Sequence, residues 1–161
     1  MKLATVLSPL STRNLRLAAQ CGVEGVVGRY PGTAADDLLT MQRRVAAEGM
    51  ELAAIEGYLP IEKIKTGTDH DGSELAAMTR LIGHMGAAGV PLLCYNFMAG
   101  TDWVRTRLDA PERGGAKVTA FDLADARRAV SLNHATEGGS EPISADELWE
   151  NLGDFLRSLI P

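Results

Sequence analysis

The sequence predicts an α/β fold of the (β/α)8 TIM-barrel type, present here as about four βα units, a partial barrel. Short apolar runs rich in strand-forming residues alternate with longer stretches of helical periodicity, which is typical of βα units around a parallel sheet. A chain of 161 residues with 45% apolar side chains can bury one core. In three of the runs, the inward-facing set of side chains ends in a polar residue, as strands do at the active-site face of this fold. We therefore expect a single domain over residues 1–161, the N-terminal half of a barrel.

The first two βα units follow each other directly. The first is a strand over residues 3–7 and a helix that Ser11 caps and that ends near Gly22. The second is a strand over residues 23–29 and a helix that Gly49 terminates. Apolar residues recur on one face of each helix: Leu15, Ala18 and Ala19 in the first, and Leu38, Met41 and Val45 in the second.

The third unit has the clearest pattern. A strand over residues 51–56 is followed by a longer polar loop and by a helix that Ser73 caps. The helix ends at Gly86 and Gly89, and its predicted apolar stripe contains Leu75, Met78, Ile82 and Met85.

The fourth unit is interrupted by an insertion. Its strand covers residues 91–97, an insertion covers 99–143, and the helix begins after Ser144, where Glu147 completes a capping box. The apolar stripe of this helix continues to the final residues without a stop signal. Because four strands of a barrel would leave two open edges, we expect either that the chain is truncated or that two copies pair.

Composition narrows the possible partners and the compartment. The net charge of -5 is spread as mixed signs, so we expect neither nucleic acid nor a membrane surface as a partner. Cys21 and Cys94 lie in apolar stretches, which favours buried free thiols in a reducing compartment. With no predicted signal peptide or membrane span, we expect a cytoplasmic protein.

The strand ends supply the first candidate site residues, because the active site of a TIM barrel gathers at the C-terminal ends of its strands. Regular alternation predicts which side chains of the second, third and fourth strands face the inside of the barrel. These are Gly25, Val27 and Arg29; Leu52, Ala54 and Glu56; and Leu92, Cys94 and Asn96. Arg29 is suited to a carboxylate, Glu56 to acid–base work or hydrogen bonding, and Asn96 to reading a hydroxyl. Each has a structural alternative, a strand end satisfied by loop backbone or, for Arg29, a side chain that reaches solvent.

The loop after the fourth strand adds an aromatic residue and a cation. Trp103 and Arg105 follow Asn96 closely, and sugar recognition uses this combination because an indole stacks on apolar ring faces while a guanidinium binds carboxylates. The alternative for Trp103 is a place in the core of the insertion.

Three stretches carry a resemblance to a known family. Residues 94–98 read Cys-Tyr-Asn-Phe-Met and residues 102–106 read Asp-Trp-Val-Arg-Thr, and residues 56–66 contain Glu56, a Pro-Ile pair and an Ile-Lys-Thr triplet that includes Lys65. With this spacing, the chain resembles the mannonate dehydratase family of xylose-isomerase-like TIM barrels over most of residues 50–161.

The resemblance implies a hydro-lyase that converts D-mannonate to 2-keto-3-deoxy-D-gluconate in hexuronate (glucuronate) catabolism. It also implies a divalent metal, Mn²⁺ or Fe²⁺, whose ligands would not be in this chain, and a homo-oligomer when full length. The substrate, a small sugar acid, would be bound by Asn96, Trp103, Arg105 and Lys65, with Glu56 and Arg29 beside them. No catalytic residue is assigned, and we expect the isolated chain to be inactive.

Two departures from the family pattern leave other functions open. Residues 4–8 lack the family's Trp-Arg-Trp type of first strand, and Arg29 and Tyr30 stand where the family has a His pair, before the retained Pro31 and Gly32. The alternatives are an enzyme for another sugar acid, a sugar isomerase or epimerase of the xylose-isomerase-like group, and a non-catalytic sugar-acid-binding half-barrel.

Two motifs have weaker functional interpretations. The segment around His70, residues 68–72, superficially resembles a cation loop but lacks EF-hand spacing, so we expect a solvated turn. Cys94 has no His placed to activate it, so we expect a packed thiol.

Overall fold

A computed structural model describes residues 1–99, 104–128, 130–131 and 143–160. The chain forms two compact units, one of residues 1–96 with 151–161 and one of residues 97–150. Within the described residues, no helix is long and apolar enough to cross a membrane.

The first unit contains a parallel sheet of four strands in the order β1-β2-β3-β4, which confirms the predicted fold class. The strands are β1 Ala4–Val6, β2 Gly25–Gly28, β3 Glu51–Glu56 and β4 Leu92–Cys94. The helices between them are α1 Thr12–Gln20, α2 Ala35–Ala46, α3 Glu62–Lys65 and α4 Ser73–Ala88. Because chain order equals sheet order, each successive strand is added at the same edge, as in a barrel.

The second unit consists of two short antiparallel pairs. The pairs are β5 Val104–Arg105 with β8 Val130–Ser131, and β6 Arg107–Pro111 with β7 Lys117–Ala120. Helix α5, Ala145–Leu159, begins in this unit and belongs to the first unit from Asn151 onward.

The core of the first unit lies between the sheet and its helices. Eight of its buried side chains are Leu15 of α1, Val26 of β2, Leu38 and Val45 of α2, Leu52 and Ile55 of β3, and Leu81 and Met85 of α4. Burial of each such side chain contributes about 1.5–3 kcal/mol. The stripe predicted for α4 is wrong at Ile82, which is 39% exposed, because the buried stripe runs through Leu81. Cys21 is also exposed, although we expected it to be buried.

Two of the three predicted caps are confirmed. The Ser11 hydroxyl accepts the Asn14 N–H at 3.1 Å at the start of α1. At the start of α5, the Ser144 N–H donates to Glu147 Oε2 at 3.0 Å and the Glu147 N–H donates to Ser144 Oγ at 3.2 Å. This reciprocal pair is a capping box.

The cap predicted at Ser73 is wrong, because Ser73 is already the first residue of α4. Asp71 accepts the Ser73 N–H at 3.1 Å, and the Asp69 carboxylate accepts the next two N–H groups at 3.1 and 3.0 Å. The carboxylates of Asp69 and Asp71, on either side of His70, therefore cap the N-terminus of α4, where negative charge is favourable.

A register shift changes the predicted inner face of β3. The pairing of β2 with β3 shifts between Val26 and Val27, so that Ala53 is an extra residue in β3. A Cβ at Gly28 would lie 3.1 Å from Leu52 Cδ1, and Leu52 belongs to the core on the helix side of the sheet. The prediction that Leu52 lies on the inner face is therefore wrong, because the bulge interrupts regular alternation.

Candidate active site

The candidate site lies at the carboxyl ends of the parallel strands. Glu56, the last residue of β3, pairs in register with Cys94 of β4. Arg29 directly follows β2, and Asn96 lies two residues beyond β4. Parallel pairing brings these strand ends to one edge of the sheet.

Lys65 places a buried positive charge at this edge. It is the last residue of α3 and is 7% exposed. Its Nζ donates to Glu62 Oε2 at 3.1 Å and to Asn96 Oδ1 at 3.2 Å. A buried ammonium requires such partners, because desolvation of an unpaired charge is costly. The contact also fixes the amide of Asn96, with Oδ1 as the acceptor and Nδ2 as the donor.

Helix α3 is short, and contacts from distant parts of the chain hold it in place. The Asn151 side chain donates to the Lys65 carbonyl at 2.9 Å, and Glu74 Oε2 accepts the Ile64 N–H at 3.2 Å. Burial raises the pKa of Glu74, partly opposed by this backbone hydrogen bond. Residues from α4 and α5 therefore determine where Lys65 lies.

Arg29 and Glu56 form a second pair. Arg29 Nη1 donates to the Glu56 carbonyl at 3.4 Å and lies 3.8 Å from Glu56 Oε1. The guanidinium carbon is 5.2 Å from the centre of the Tyr58 ring, within the range of a cation–π contact. Among the described residues, the buried Nε of Arg29 has no hydrogen-bond partner.

The turn after β3 shapes this pair. Gly57 and Tyr58 both have left-handed backbones, with φ of 72° and 56°. A Cβ at Gly57 would lie 2.8 Å from Arg29 Nη1, so the guanidinium passes where only glycine leaves room. The sequence alone assigns no role to Tyr58. Its position directly after Glu56 and Gly57, at the end of a strand, is the feature of the sequence that could have indicated one.

Comparison with known proteins identifies the family. The family model for D-mannonate dehydratase (UxuA) matches residues 7–138 of this chain. The chain belongs to the D-mannonate dehydratase family. The resemblance inferred from residues 94–106 and from the segment around Lys65 is thereby confirmed.

Relatives and a solved structure agree with this assignment to the D-mannonate dehydratase family. A mannonate dehydratase of Streptococcus equi subsp. zooepidemicus is 30% identical over 144 aligned positions, covering 78% of this chain and 40% of the relative. One of Endomicrobium trichonymphae is 26% identical, covering 96% of this chain and 50% of the relative. The crystal structure of mannonate dehydratase from Streptococcus suis serotype 2 superposes with a TM-score of 0.81 at 26% identity, covering all of this chain and 50% of that one. This confirms the partial-barrel fold, and the chain spans about two fifths to one half of these relatives.

The predicted site residues have different standing in the structure. Lys65 contacts Asn96, and Arg29 contacts Glu56, all within the first unit. Arg105 lies in the other unit, where its Nε donates to the Thr119 hydroxyl at 3.1 Å and its Nη1 to the Val104 carbonyl at 2.8 Å. Trp103 lies outside the described residues. The substrate-binding roles of all six residues stay predictions.

A metal site cannot be built from the part of the chain that the structure describes. No three His, Cys, Asp or Glu side chains come together there in an arrangement that could hold an ion. Asp69 and Asp71, the nearest approach to a cation loop in the sequence, accept backbone N–H groups of α4 instead. We therefore assign no metal ligand and derive no step through a metal.

Proposed function

We propose that this chain forms the substrate-holding side of an active site that dehydrates D-mannonate to 2-keto-3-deoxy-D-gluconate. Membership of the D-mannonate dehydratase family supports the reaction. The observation that carries the assignment to this part of the molecule is the buried Lys65, which fixes Asn96 at the carboxyl ends of the strands. In barrels of this type, that edge is where substrates bind.

The chemistry of the reaction assigns a task to each polar group at this edge. Dehydration needs a base for the proton at C2, an acid for the departing C3 hydroxyl, and positive charge near the carboxylate. The fixed amide of Asn96 is suited to a sugar hydroxyl, and Glu56 offers an acceptor. Arg29 and Lys65 supply positive charge, and we further propose that Trp103 and Arg105 contact the substrate.

The surroundings of the reaction are also part of the proposal. We propose Mn²⁺ or Fe²⁺ as the cofactor of the whole enzyme, held by residues other than those the structure describes. We also propose a homo-oligomer, a cytoplasmic location and a place in glucuronate catabolism. We also propose that residues 99–143 are an insertion between the fourth strand and its helix.

Calorimetric titration of the 161-residue chain with D-mannonate tests the substrate-holding role. We expect Lys65→Met, which keeps the length of the stem but removes the charge, to weaken binding roughly 10-fold or more, because Asn96 loses its charge-assisted partner. Lys63→Met is the matched control, since Lys63 lies on the same short helix and is exposed. Equal affinity in all three proteins would contradict the proposal.

A second measurement separates an enzyme from a binding module. The product is a 2-keto acid, so its formation can be followed directly after addition of Mn²⁺ or Fe²⁺ to the chain and D-mannonate. Tight binding of D-mannonate that needs no metal, together with no product in any assembly that contains this chain, would favour the non-catalytic alternative.

A further inference from the structure

The guanidinium of Arg29 has unused hydrogen-bonding capacity. Arginine carries five N–H donors. Within the described residues, the only hydrogen bond of this side chain is the 3.4 Å contact from Nη1 to the Glu56 carbonyl, and the buried Nε has no partner. Buried donors in folded proteins are nearly always paired, so such a group calls for a functional explanation.

The structure also argues against a side chain that simply reaches into solvent. The Arg29 side chain is only 33% exposed, and its guanidinium lies close to Gly57 and within cation–π distance of the Tyr58 ring. Tyr58 adopts a positive φ of 56°, which is unfavourable for a residue with a large side chain. Strain of this kind clusters at ligand sites, where the surrounding structure maintains it.

The carboxylate of Glu56 is a loose partner for this guanidinium. Its Oε1 lies 3.8 Å from Arg29 Nη1, which is too long for a hydrogen bond, and its side chain is 42% exposed. A planar guanidinium binds a carboxylate best through two parallel hydrogen bonds. An incoming carboxylate that made both would therefore displace Glu56 readily.

We propose that Arg29 is the residue that recognises the carboxylate of the substrate, and that this carboxylate replaces the Glu56 side chain on the guanidinium. Tyr58 is a positioning residue that supports the face of the guanidinium. The inference rests on the proposed function and adds the basis of selectivity: the site distinguishes sugar acids from neutral polyols through Arg29.

Nuclear magnetic resonance of the 15N-labelled chain gives a direct probe. The Arg29 Nε–H resonance, assigned by its loss in Arg29→Gln, is followed during titration with D-mannonate, with the epimeric acid D-gluconate and with D-mannitol, which has no carboxylate. We expect both acids to shift the resonance and D-mannitol to leave it unchanged. In calorimetry, Arg29→Gln should weaken D-mannonate binding roughly 10- to 100-fold. Arg13→Gln, at an exposed position of α1, should bind like the wild type.

The outcomes separate the inference from the function on which it rests. D-mannonate binding that leaves the Arg29 resonance and the affinity of Arg29→Gln unchanged would overturn the inference and leave the proposed function intact. A shift with D-gluconate, together with no binding of D-mannonate, would support Arg29 as a carboxylate site and refute the proposed substrate. An equal shift with D-mannitol, or no shift with any of the three compounds, would overturn the inference.

Discussion

Substitutions at Tyr58 test whether the strained backbone of this residue lowers the stability of the protein while its ring positions the guanidinium of Arg29. Its φ of 56° is a left-handed conformation that costs an L-residue about 1–2 kcal/mol. Its ring contact with Arg29 contributes about 0.5–1 kcal/mol at an exposed site. Tyr58→Ala removes the ring but keeps the strain, so we expect the free energy of unfolding to fall by about 0.5–1 kcal/mol. Tyr58→Gly also relieves the strain, so it should be about 1 kcal/mol more stable than Tyr58→Ala.

Urea denaturation measures the two stabilities, and titration with D-mannonate measures function on the same proteins. Both variants should bind more weakly than the wild type, because both lack the ring. Tyr58→Phe, the matched control, keeps the ring and should match the wild type in stability and affinity. Equal stability of Tyr58→Ala and Tyr58→Gly would refute the assignment of strain. Full affinity in Tyr58→Gly would refute the positioning role.

Three further predictions concern the frame of the site. Gly28→Ala should lower the free energy of unfolding by about 1–3 kcal/mol, because its Cβ would overlap Met41 Sδ. Gly86→Ala in α4, where a Cβ meets open space, is the matched control and should raise the free energy of unfolding by up to about 1 kcal/mol. Urea denaturation of both variants measures the difference. Ser11→Ala should lower the free energy of unfolding by about 0.5–2 kcal/mol in the same assay, because α1 loses its N-terminal cap. Ser11→Asp, which can also cap the helix, should retain most of the wild-type stability. Burial raises the pKa of Glu74 from its usual value of 4.5, so the favourable contribution of Glu74 is complete below that pH and is lost as the pH rises through the raised pKa. The free energy of unfolding of the wild type relative to Glu74→Gln should therefore fall as the pH rises above 4.5, and a difference that stays constant with pH would contradict this.

The sequence predicts those parts of the fold that depend on local patterns. The bounds of β3 agree with the predicted 51–56, because an apolar run forms a strand that is paired on both sides. The cap at Ser11 and the capping box at Ser144 are also local, since each joins residues three positions apart. The cap of α4 was misassigned because Asp69 reaches five and six residues along the chain to the helix N–H groups.

The features that the sequence could not predict depend on distant contacts. The extra residue at Ala53 exists only in the pairing of β3 with β2, and alternation within one strand gives no sign of it. Helix α3 is too short for a periodic signal, and it is held by Asn151, far along the chain. The pairing of Lys65 with Asn96 likewise joins residues 31 positions apart, although the family motifs had indicated both as site residues.

The two cations of the candidate site are partnered differently, and this difference separates their tasks. Lys65 is almost fully buried, and its Nζ has two oxygen partners within 3.2 Å. An anion could therefore bind Lys65 only by breaking these hydrogen bonds in a buried environment. In the part of the chain that the structure describes, Arg29 has one long hydrogen bond and a carboxylate at 3.8 Å, so an anion that displaces Glu56 would form more hydrogen bonds than it breaks. Lys65 is therefore suited to holding Asn96 in place, and Arg29 to binding the substrate. Arg29 would then be the residue that contacts the carboxylate of the substrate, the group that neutral polyols lack.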